Sequence, residues 1–215
     1  MLNLALGEDV RLALCLGAHC DDIEIGCGGA LWSLARKHPR MEFVIAVFAS
    51  DDARERETRM AIEGLLGAAK YQLVMHRYRD GFFPAEWASI KNSFEALKAL
   101  GVPDVVLTHQ GNDRHQDHRI ISELTWNTFR NHLVLEYEIP KYDGDLGQPN
   151  AYVPLTTEAV EQKLAILMSC FPSQAAKRWF TESLFRGLMR IRGMECNAPS
   201  GYAEAFYARK MLLGC

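Results

Sequence analysis

Two short stretches of the chain are dense in side chains that bind metal ions or transfer protons. The first reads GAHCDD and covers residues 17–22; the second reads HQGNDRHQDHR and covers residues 109–119. Between them they contain His19, Asp21, Asp22, His109, Asp113, His115, Asp117 and His118. Unpaired polar groups are costly to bury, so an ordinary core does not explain this density.

Histidine and carboxylate side chains in this combination suit a catalytic zinc ion, which takes three protein ligands and keeps one position open for water. Neighbouring carboxylates on a loop cannot point in the same direction, so one of Asp21 and Asp22 can bind the metal while the other accepts the proton of the water. The pair also fits a second interpretation, an N-cap of the following helix. Three histidines within residues 109–118 favour the metal, because a solvated surface does not need them.

Strand-like apolar runs alternate along the chain with segments whose apolar residues have helical spacing. These elements must position the two polar stretches. The alternation predicts an α/β fold, a Rossmann-like, doubly wound, mostly parallel sheet with helices on both faces. Strands are predicted at 11–17, 43–50, 71–75, 104–109 and 133–139, and helices at 28–37, 53–69, 85–100 and 116–131. Both polar stretches follow strands, and ligands of such sheets bind beyond the carboxyl ends of the strands. We therefore expect the two stretches to meet at one edge.

The pattern changes after Pro140. A polar loop at 141–150 precedes an edge strand at 151–155, helices at 157–170 and 173–192, and an apolar tail at 202–213. These features predict a C-terminal helical cap that completes the pocket, with residues 1–140 as the α/β core and 141–215 as the extension. We expect one domain over residues 1–215.

Composition excludes several classes of protein. The chain has 215 residues, 48% of them hydrophobic, and a formal charge of −3, which argues against a nucleic-acid-binding protein. It shows no signal-peptide pattern, and no run approaches the roughly 20 apolar residues of a membrane span. Six cysteines without a C-x-x-C pair indicate reduced thiols in the cytoplasm. We expect a small-molecule partner, and homo-oligomer formation stays open.

The glycines at 26, 28 and 29 raise a nucleotide-binding alternative. In a dinucleotide site the glycines form the turn directly after the strand, whereas here an acidic loop comes first. Two carboxylates at that place would repel a pyrophosphate. We interpret the glycines as positions where the helix packs closely on the sheet.

The two polar stretches resemble the signature of a known family. AHCDDIEIGCGG is similar to the A-H-P-D-D-x-E-x-G-x-G-G motif of the LmbE-like (PIG-L) zinc-dependent N-acetyl sugar deacetylases, and HQDHR is similar to their H-x-D-H-R segment. Weaker similarities lie at RERE…LLG (54–67), YRDG (78–81) and YAEAF (202–206). The two polar stretches, taken together, are specific for this family. The weaker similarities would indicate little by themselves.

The resemblance implies a zinc site and groups that transfer protons. It makes Asp21 the general base that activates water. His115, oriented by Asp117, would stabilise the tetrahedral intermediate or protonate the leaving amine. The implied zinc ligands are His19, Asp22 and His118.

The resemblance also implies arginine and aspartate side chains that bind sugar hydroxyls. The candidates are Arg54, Arg56, Asp80 and Arg119, for which surface charge on a helix or turn is the alternative. Cys20 stands where the family has proline, and we expect its thiol to pack under the loop and not to bind the metal.

The expected activity is removal of an acetyl group from an N-acetylated amino sugar or glycoconjugate. The same metal chemistry on a different amide, an acylated amino acid or a thiol-sugar conjugate, is one alternative. A non-enzymatic metal- or nucleotide-binding domain is the other. Zinc is the expected cofactor, although iron, cobalt and manganese also bind such ligands.

Overall fold

The computed structural model describes residues 3–212, which form a seven-stranded sheet with helices on both faces. The strands are β1 (Leu12–His19), β2 (Glu42–Ala49), β3 (Tyr71–Met75), β4 (Val105–His109), β5 (Leu133–Tyr137), β6 (Ala151–Pro154) and β7 (Ala203–Ala208). The helices are α1 (Asp22–Lys37), α2 (Asp52–Leu66), α3 (Trp87–Leu97), α4 (Gln116–Thr128), α5 (Thr157–Cys170) and α6 (Glu182–Glu195).

The sheet has the strand order β3-β2-β1-β4-β5-β7-β6. Its first five strands are parallel, and β7 pairs antiparallel with both β5 and β6. The predicted α/β class is therefore confirmed. The chain winds outward from β1 to β3 and then crosses to β4, which makes the gap between β1 and β4 the switch point where such sheets bind ligands.

The two faces of the sheet are covered by different helices. Helices α1, α2 and α5 pack on one face, with Leu31, Ile62 and Leu167 among their buried side chains. Helices α3 and α4 cover the other face, where Phe94 stacks on Phe48 of β2 with ring centroids 5.0 Å apart. Strands β1 and β2 are buried on both faces, which explains why their sequences are nearly continuous apolar runs.

Helix α1 begins six residues before the predicted start and is kinked at Cys27. Its first turns lack apolar helical spacing because they carry acidic groups and Gly26. A Cβ atom at Gly26 would lie 2.2 Å from the ring of Tyr137, and one at Gly29 would lie 2.6 Å from Leu155. Gly26 and Gly29 thus serve close packing, as predicted, whereas a Cβ atom at Gly28 would be in ordinary contact, 3.6 Å from its nearest neighbours.

The C-terminal third adds two strands to the sheet as well as helices: the predicted edge strand, β6, and β7, which lies in the segment interpreted as an apolar tail. Strand β7 inserts between β5 and β6, and its Glu204 accepts the backbone N–H groups of Gly29 and Ala30 at 2.8 and 2.7 Å. These bonds cap the second half of α1. Helix α6 begins at Glu182 and not at residue 173, because the residues before it form a short 3₁₀ turn after Pro172 and further turns.

The cysteines and the helices can be compared with the expectations of reduced thiols and of no membrane span. The five cysteines within residues 3–212 are free and buried. Across the same residues, none of the helices combines the length and the apolar character that crossing a membrane requires.

Candidate active site

The two polar stretches meet at the switch point of the sheet. His19 ends β1, Asp22 begins α1, and His118 lies in the first turn of α4. The Nδ1 atom of His19 is 3.2 Å from Nε2 of His118 and 3.3 Å from Oδ2 of Asp22, and His118 Nε2 is 3.5 Å from Asp22 Oδ1. All three side chains are buried. The chain thus brings together the three residues that the resemblance implied as ligands.

The separations and the hydrogen bonds of this cluster fit a metal ion. A tetrahedral zinc with bonds of about 2.1 Å holds its ligand atoms about 3.4 Å apart. His118 Nδ1 faces Asp113 at 2.9 Å, and His19 Nε2 faces Asp80 and Asp117 at 3.1 and 3.2 Å. When these carboxylates accept the ring N–H groups, the other nitrogen of each ring is the one that can bind a metal at the common centre.

The charge states of His118 and Asp22 are those that metal ligands need, whereas that of His19 is not. Burial, with nearby His109, lowers the pKa of His118 to about 3, so this ring is neutral, as a metal ligand must be. For Asp22, burial acts to raise the pKa, but His118, His109 and His19 outweigh it and hold the pKa well below its usual range. For His19, burial is outweighed by Asp22 and Asp117, which raise its pKa well above the usual value. A metal would have to displace this proton.

Asp21 lies beside the cluster, and its side chain takes no part in capping the helix. It precedes α1, yet its carboxylate caps no backbone N–H, so the N-cap interpretation is not supported. Its Oδ1 atom is 3.4 Å from Nη2 of Arg54. Burial and the neighbouring charge of Asp22 raise the pKa of Asp21 to about 6, against the opposing effect of Arg54. At neutral pH Asp21 is a carboxylate, and it is more basic than an exposed aspartate.

The Asp117 carboxylate does not orient the ring of His115, contrary to the prediction. It contacts His19 and accepts the backbone N–H groups of Gly81 and Phe83 at 2.6 and 3.2 Å. Both oxygens of the carboxylate are engaged in these contacts, although one of them lies within 4.8 Å of a ring nitrogen of His115. The His115 ring instead receives the backbone N–H of Asp117, 3.3 Å from Nδ1.

His115 is nevertheless close to the cluster. Its ring stacks on His118 with centroids 4.6 Å apart and lies edge-on to His19 at 4.9 Å. Burial, followed by the charge of His19, lowers its pKa, so the ring is neutral at pH 7. With Nδ1 accepting, the proton lies on Nε2, which can donate a hydrogen bond.

The four candidate substrate-binding residues separate into two pairs. Arg54 and Asp80 lie at the site: Arg54 Nη1 is 3.9 Å from Asp80 Oδ2, and the Arg54 side chain is only 17% exposed. Arg56 is exposed on α2, because its position in the helix points away from Asp21. Arg119 donates to the backbone carbonyls of Asp113 and Arg114 and lines a surface groove. The structure therefore favours Arg54 and Asp80 over Arg56 and Arg119 as candidates for binding a substrate.

Cys20 packs under the loop, as predicted. Its Sγ atom is 3.5 Å from the carbonyl oxygen of Ala49, and the residue is fully buried. Burial raises the pKa of its thiol to about 12, so it is not a thiolate ligand.

His109 has a larger part in the site than the sequence indicated. Its ring stacks on His118 with centroids 3.9 Å apart, and its Nε2 atom lies 3.2 Å from Asp22 Oδ2 and accepts the backbone N–H of Ala18. Donor atoms of Asp22, His109 and His118 lie within 4.8 Å of one another, as do those of His19, His115 and His118. His109 and His115 therefore also lie where a ring nitrogen could reach a metal ion.

Comparisons with known proteins match the chain to one family. The model of the family described as PIG-L, GlcNAc-PI de-N-acetylase, matches residues 14–129. The protein named uncharacterized deacetylase YaiS, from Escherichia coli strain K12, is 30% identical over 138 residues, which are 59% of this chain and 73% of YaiS.

Solved structures share the fold at lower identity. The N,N'-diacetylchitobiose deacetylase from Pyrococcus horikoshii has a TM-score of 0.69 and 21% identity, with 93% of this chain and 84% of that chain covered. GalB, the 4-carboxy-2-hydroxymuconate hydratase from Pseudomonas putida, has a TM-score of 0.78 and 16% identity, with 95% and 98% covered. These likenesses concern the fold, and the two names describe different reactions.

Proposed function

We propose, since the chain belongs to the GlcNAc-PI de-N-acetylase (PIG-L) family, that it is a zinc-dependent hydrolase that removes the acetyl group from an N-acetylated amino sugar or glycoconjugate. One observation carries the proposal. The buried side chains of His19, Asp22 and His118 converge, with a ring nitrogen of each histidine 3.2 Å from the other and 3.3–3.5 Å from one or the other carboxylate oxygen of Asp22. A carboxylate of raised pKa, Asp21, lies next to them in the chain. This is the arrangement that metal-assisted hydrolysis of an amide requires.

In this proposal His19, Asp22 and His118 hold the zinc ion. When bound there, zinc supplies a Lewis acid and lowers the pKa of a coordinated water to about 7. Asp113 and Asp117 act on the ligands by fixing the ring tautomers of His118 and His19, respectively.

Asp21 accepts the proton of the attacking water. Its raised pKa suits this step, because a general base works best when its pKa approaches the working pH. Arg54, close to the Asp21 carboxylate, limits this rise and keeps Asp21 ionised at neutral pH.

His115 donates a hydrogen bond from Nε2 to the oxyanion that develops on the acetyl carbonyl. Its Nδ1 is already engaged by the backbone N–H of Asp117, which fixes the tautomer without a carboxylate partner. A neutral donor of this kind stabilises developing charge without itself changing its charge.

Arg54 and Asp80 are the groups proposed to bind sugar hydroxyls. Their side chains lie at the site together, and Asp80 is 61% exposed, so a substrate can reach it. The P. horikoshii neighbour is named as a deacetylase of an N-acetylated sugar, N,N'-diacetylchitobiose, which supports an N-acetylated sugar as the substrate here.

The experiment is a panel of acyl amines given to the purified, metal-loaded chain. The panel contains N-acetylglucosamine, diacetylchitobiose, an N-acetyl amino acid and an acetylated thiol-sugar conjugate, and acetate release is measured before and after chelation. Chelator-sensitive release from the sugars supports the proposal. Release only from the amino acid or the thiol conjugate would show that the substrate is a different amide. Bound nucleotide without metal would favour a non-enzymatic domain.

A further inference from the structure

A buried ion pair lies behind the metal-binding cluster and joins it to a loop of the C-terminal extension. Lys141 follows β5, at the same edge of the sheet as His19 and His118, and its side chain is 8% exposed. Its Nζ atom is 2.9 Å from Oδ1 of Asp113, whose side chain is fully buried. The other oxygen of this carboxylate, Oδ2, is 2.9 Å from Nδ1 of His118.

We propose that Lys141 is a positioning residue for the metal ligand His118. Its ammonium group holds the Asp113 carboxylate against the Nδ1–H of His118, so that Nε2 of His118 keeps its lone pair directed at the metal. This inference rests on the proposed function, because it assigns a role toward the metal that the proposed function requires.

Asp113 needs a cationic partner to serve this purpose. A buried carboxylate is strongly disfavoured unless it is paired and hydrogen-bonded. Asp113 accepts from His118, from Lys141 and, at 2.8 Å, from the backbone N–H of His115. Of these three donors, only Lys141 carries a full positive charge when His118 is a neutral ligand.

Lys141 also contacts the loop that follows it, which suggests a competing, purely structural role. Its Nζ atom is 2.7 Å from Asp145 Oδ2, and Asp145 accepts the backbone N–H of Arg114 at 2.7 Å. If Lys141 only anchored this loop, Asp145 would matter as much as Asp113. The substitution Asp145→Asn distinguishes the two roles, because an asparagine still accepts these hydrogen bonds but loses its charge.

The test is the affinity of the full chain for Zn²⁺, measured by competition with a chromophoric chelator, with the absorption bands of bound Co²⁺ as a second readout. Loss of a group that orients a ligand typically weakens metal binding about 10–100-fold. We expect this loss, with altered Co²⁺ bands, for Lys141→Met, and recovery of most of the affinity for Lys141→Arg. Lys91→Met, which removes an ion pair with Glu95 within α3 and a hydrogen bond to Thr128 at the end of α4, is the matched control and should bind as the unsubstituted chain does.

A double-mutant cycle makes the inference decisive. If Lys141 acts through Asp113, Lys141→Met adds less than about a twofold loss in an Asp113→Asn background, because the group it holds is already neutral. Asp145→Asn should change the affinity by less than about threefold, since orientation of the ligand does not depend on it.

Two results would overturn the inference: unchanged zinc affinity in Lys141→Met, or an equal loss in both backgrounds. Failure of the unsubstituted chain to bind Zn²⁺ at all would instead contradict the proposed function. Circular dichroism of each metal-free variant shows whether a loss of affinity follows from unfolding.

Discussion

Oδ2 of Asp117 lies 3.2 Å from Nε2 of His19, so this side chain connects the N-terminus of α4 to the end of β1. The sequence predicted instead that Asp117 orients His115. The same carboxylate accepts the backbone N–H of Gly81 and thereby fixes the turn that carries Asp80. Asp117 therefore contacts the proposed metal ligand His19 and also the turn that carries the proposed substrate-binding residue Asp80.

Asp117→Asn is expected to weaken zinc affinity about 10–100-fold, because His19 loses the carboxylate that fixes its tautomer. The measurement is competition with a chromophoric chelator. Normal affinity together with a lower kcat would contradict this role and restore the pairing of Asp117 with His115.

His115→Gln is expected to leave zinc binding intact and to lower kcat about 10²–10³-fold, as loss of an oxyanion-stabilising donor does. The His115 ring lies close enough to the cluster to be a rival ligand, so metal content and kcat must be measured on the same preparation. A loss of zinc as large as that in His118→Gln would show that His115 is a ligand.

Gly26→Ala is expected to destabilise the chain by about 1–3 kcal/mol, since its methyl group would overlap the ring of Tyr137. The matched control is Gly187→Ala in α6, where no atom lies within 4 Å of the added carbon. That substitution should stabilise by about 0.5–1 kcal/mol, because alanine favours a helix. Urea unfolding measures both, and equal stabilities would refute the close packing of α1 on β5.

Glu24 gives the metal-free chain a pH-dependent stability. Burial raises its pKa to about 8, and its Oε1 atom has no hydrogen-bond partner within residues 3–212. Between the unfolded value near 4.5 and about 8, the folded chain holds one proton more than the unfolded chain. The contribution is therefore largest at low pH and is lost as pH rises, by up to about 1.4 kcal/mol per pH unit.

Glu24→Gln removes this titration, so its unfolding free energy should fall less steeply with pH over that window. Urea unfolding of both metal-free proteins from pH 5 to 8 gives the two slopes. Parallel slopes would show that Glu24 is ionised in the folded chain.

The sequence predicted that the two polar stretches meet, because the signal for this lies in each stretch and in the strand before it. The two polar stretches directly follow β1 and β4, and the carboxyl ends of neighbouring parallel strands meet at one edge. The ligand residues could therefore be placed near one another without knowledge of a single side-chain contact. The strands up to β5 were predicted within two residues for the same reason, since buried parallel strands read as apolar runs.

The partners of those ligands could not be predicted in this way. Whether Asp117 reaches His19 or His115 depends on the backbone N–H groups of a turn more than thirty residues away in sequence. Lys141 lies in a polar loop that resembles solvent-exposed sequence, and only the pairing of β5 with β4 brings it to Asp113. Strand β7 was missed because antiparallel insertion between β5 and β6 leaves no local signal in an apolar tail.

The most direct test of the central claim is the substitution Asp21→Asn, examined for both metal content and acetate release from an N-acetylated amino sugar. The account predicts about one zinc per chain in both proteins, and a kcat lower by at least about 10²-fold in the variant, as loss of a general base produces. Lys91→Met serves as the control that keeps full activity. Zinc retained with undiminished acetate release in Asp21→Asn would contradict the account, because the proton of the water would then be accepted elsewhere.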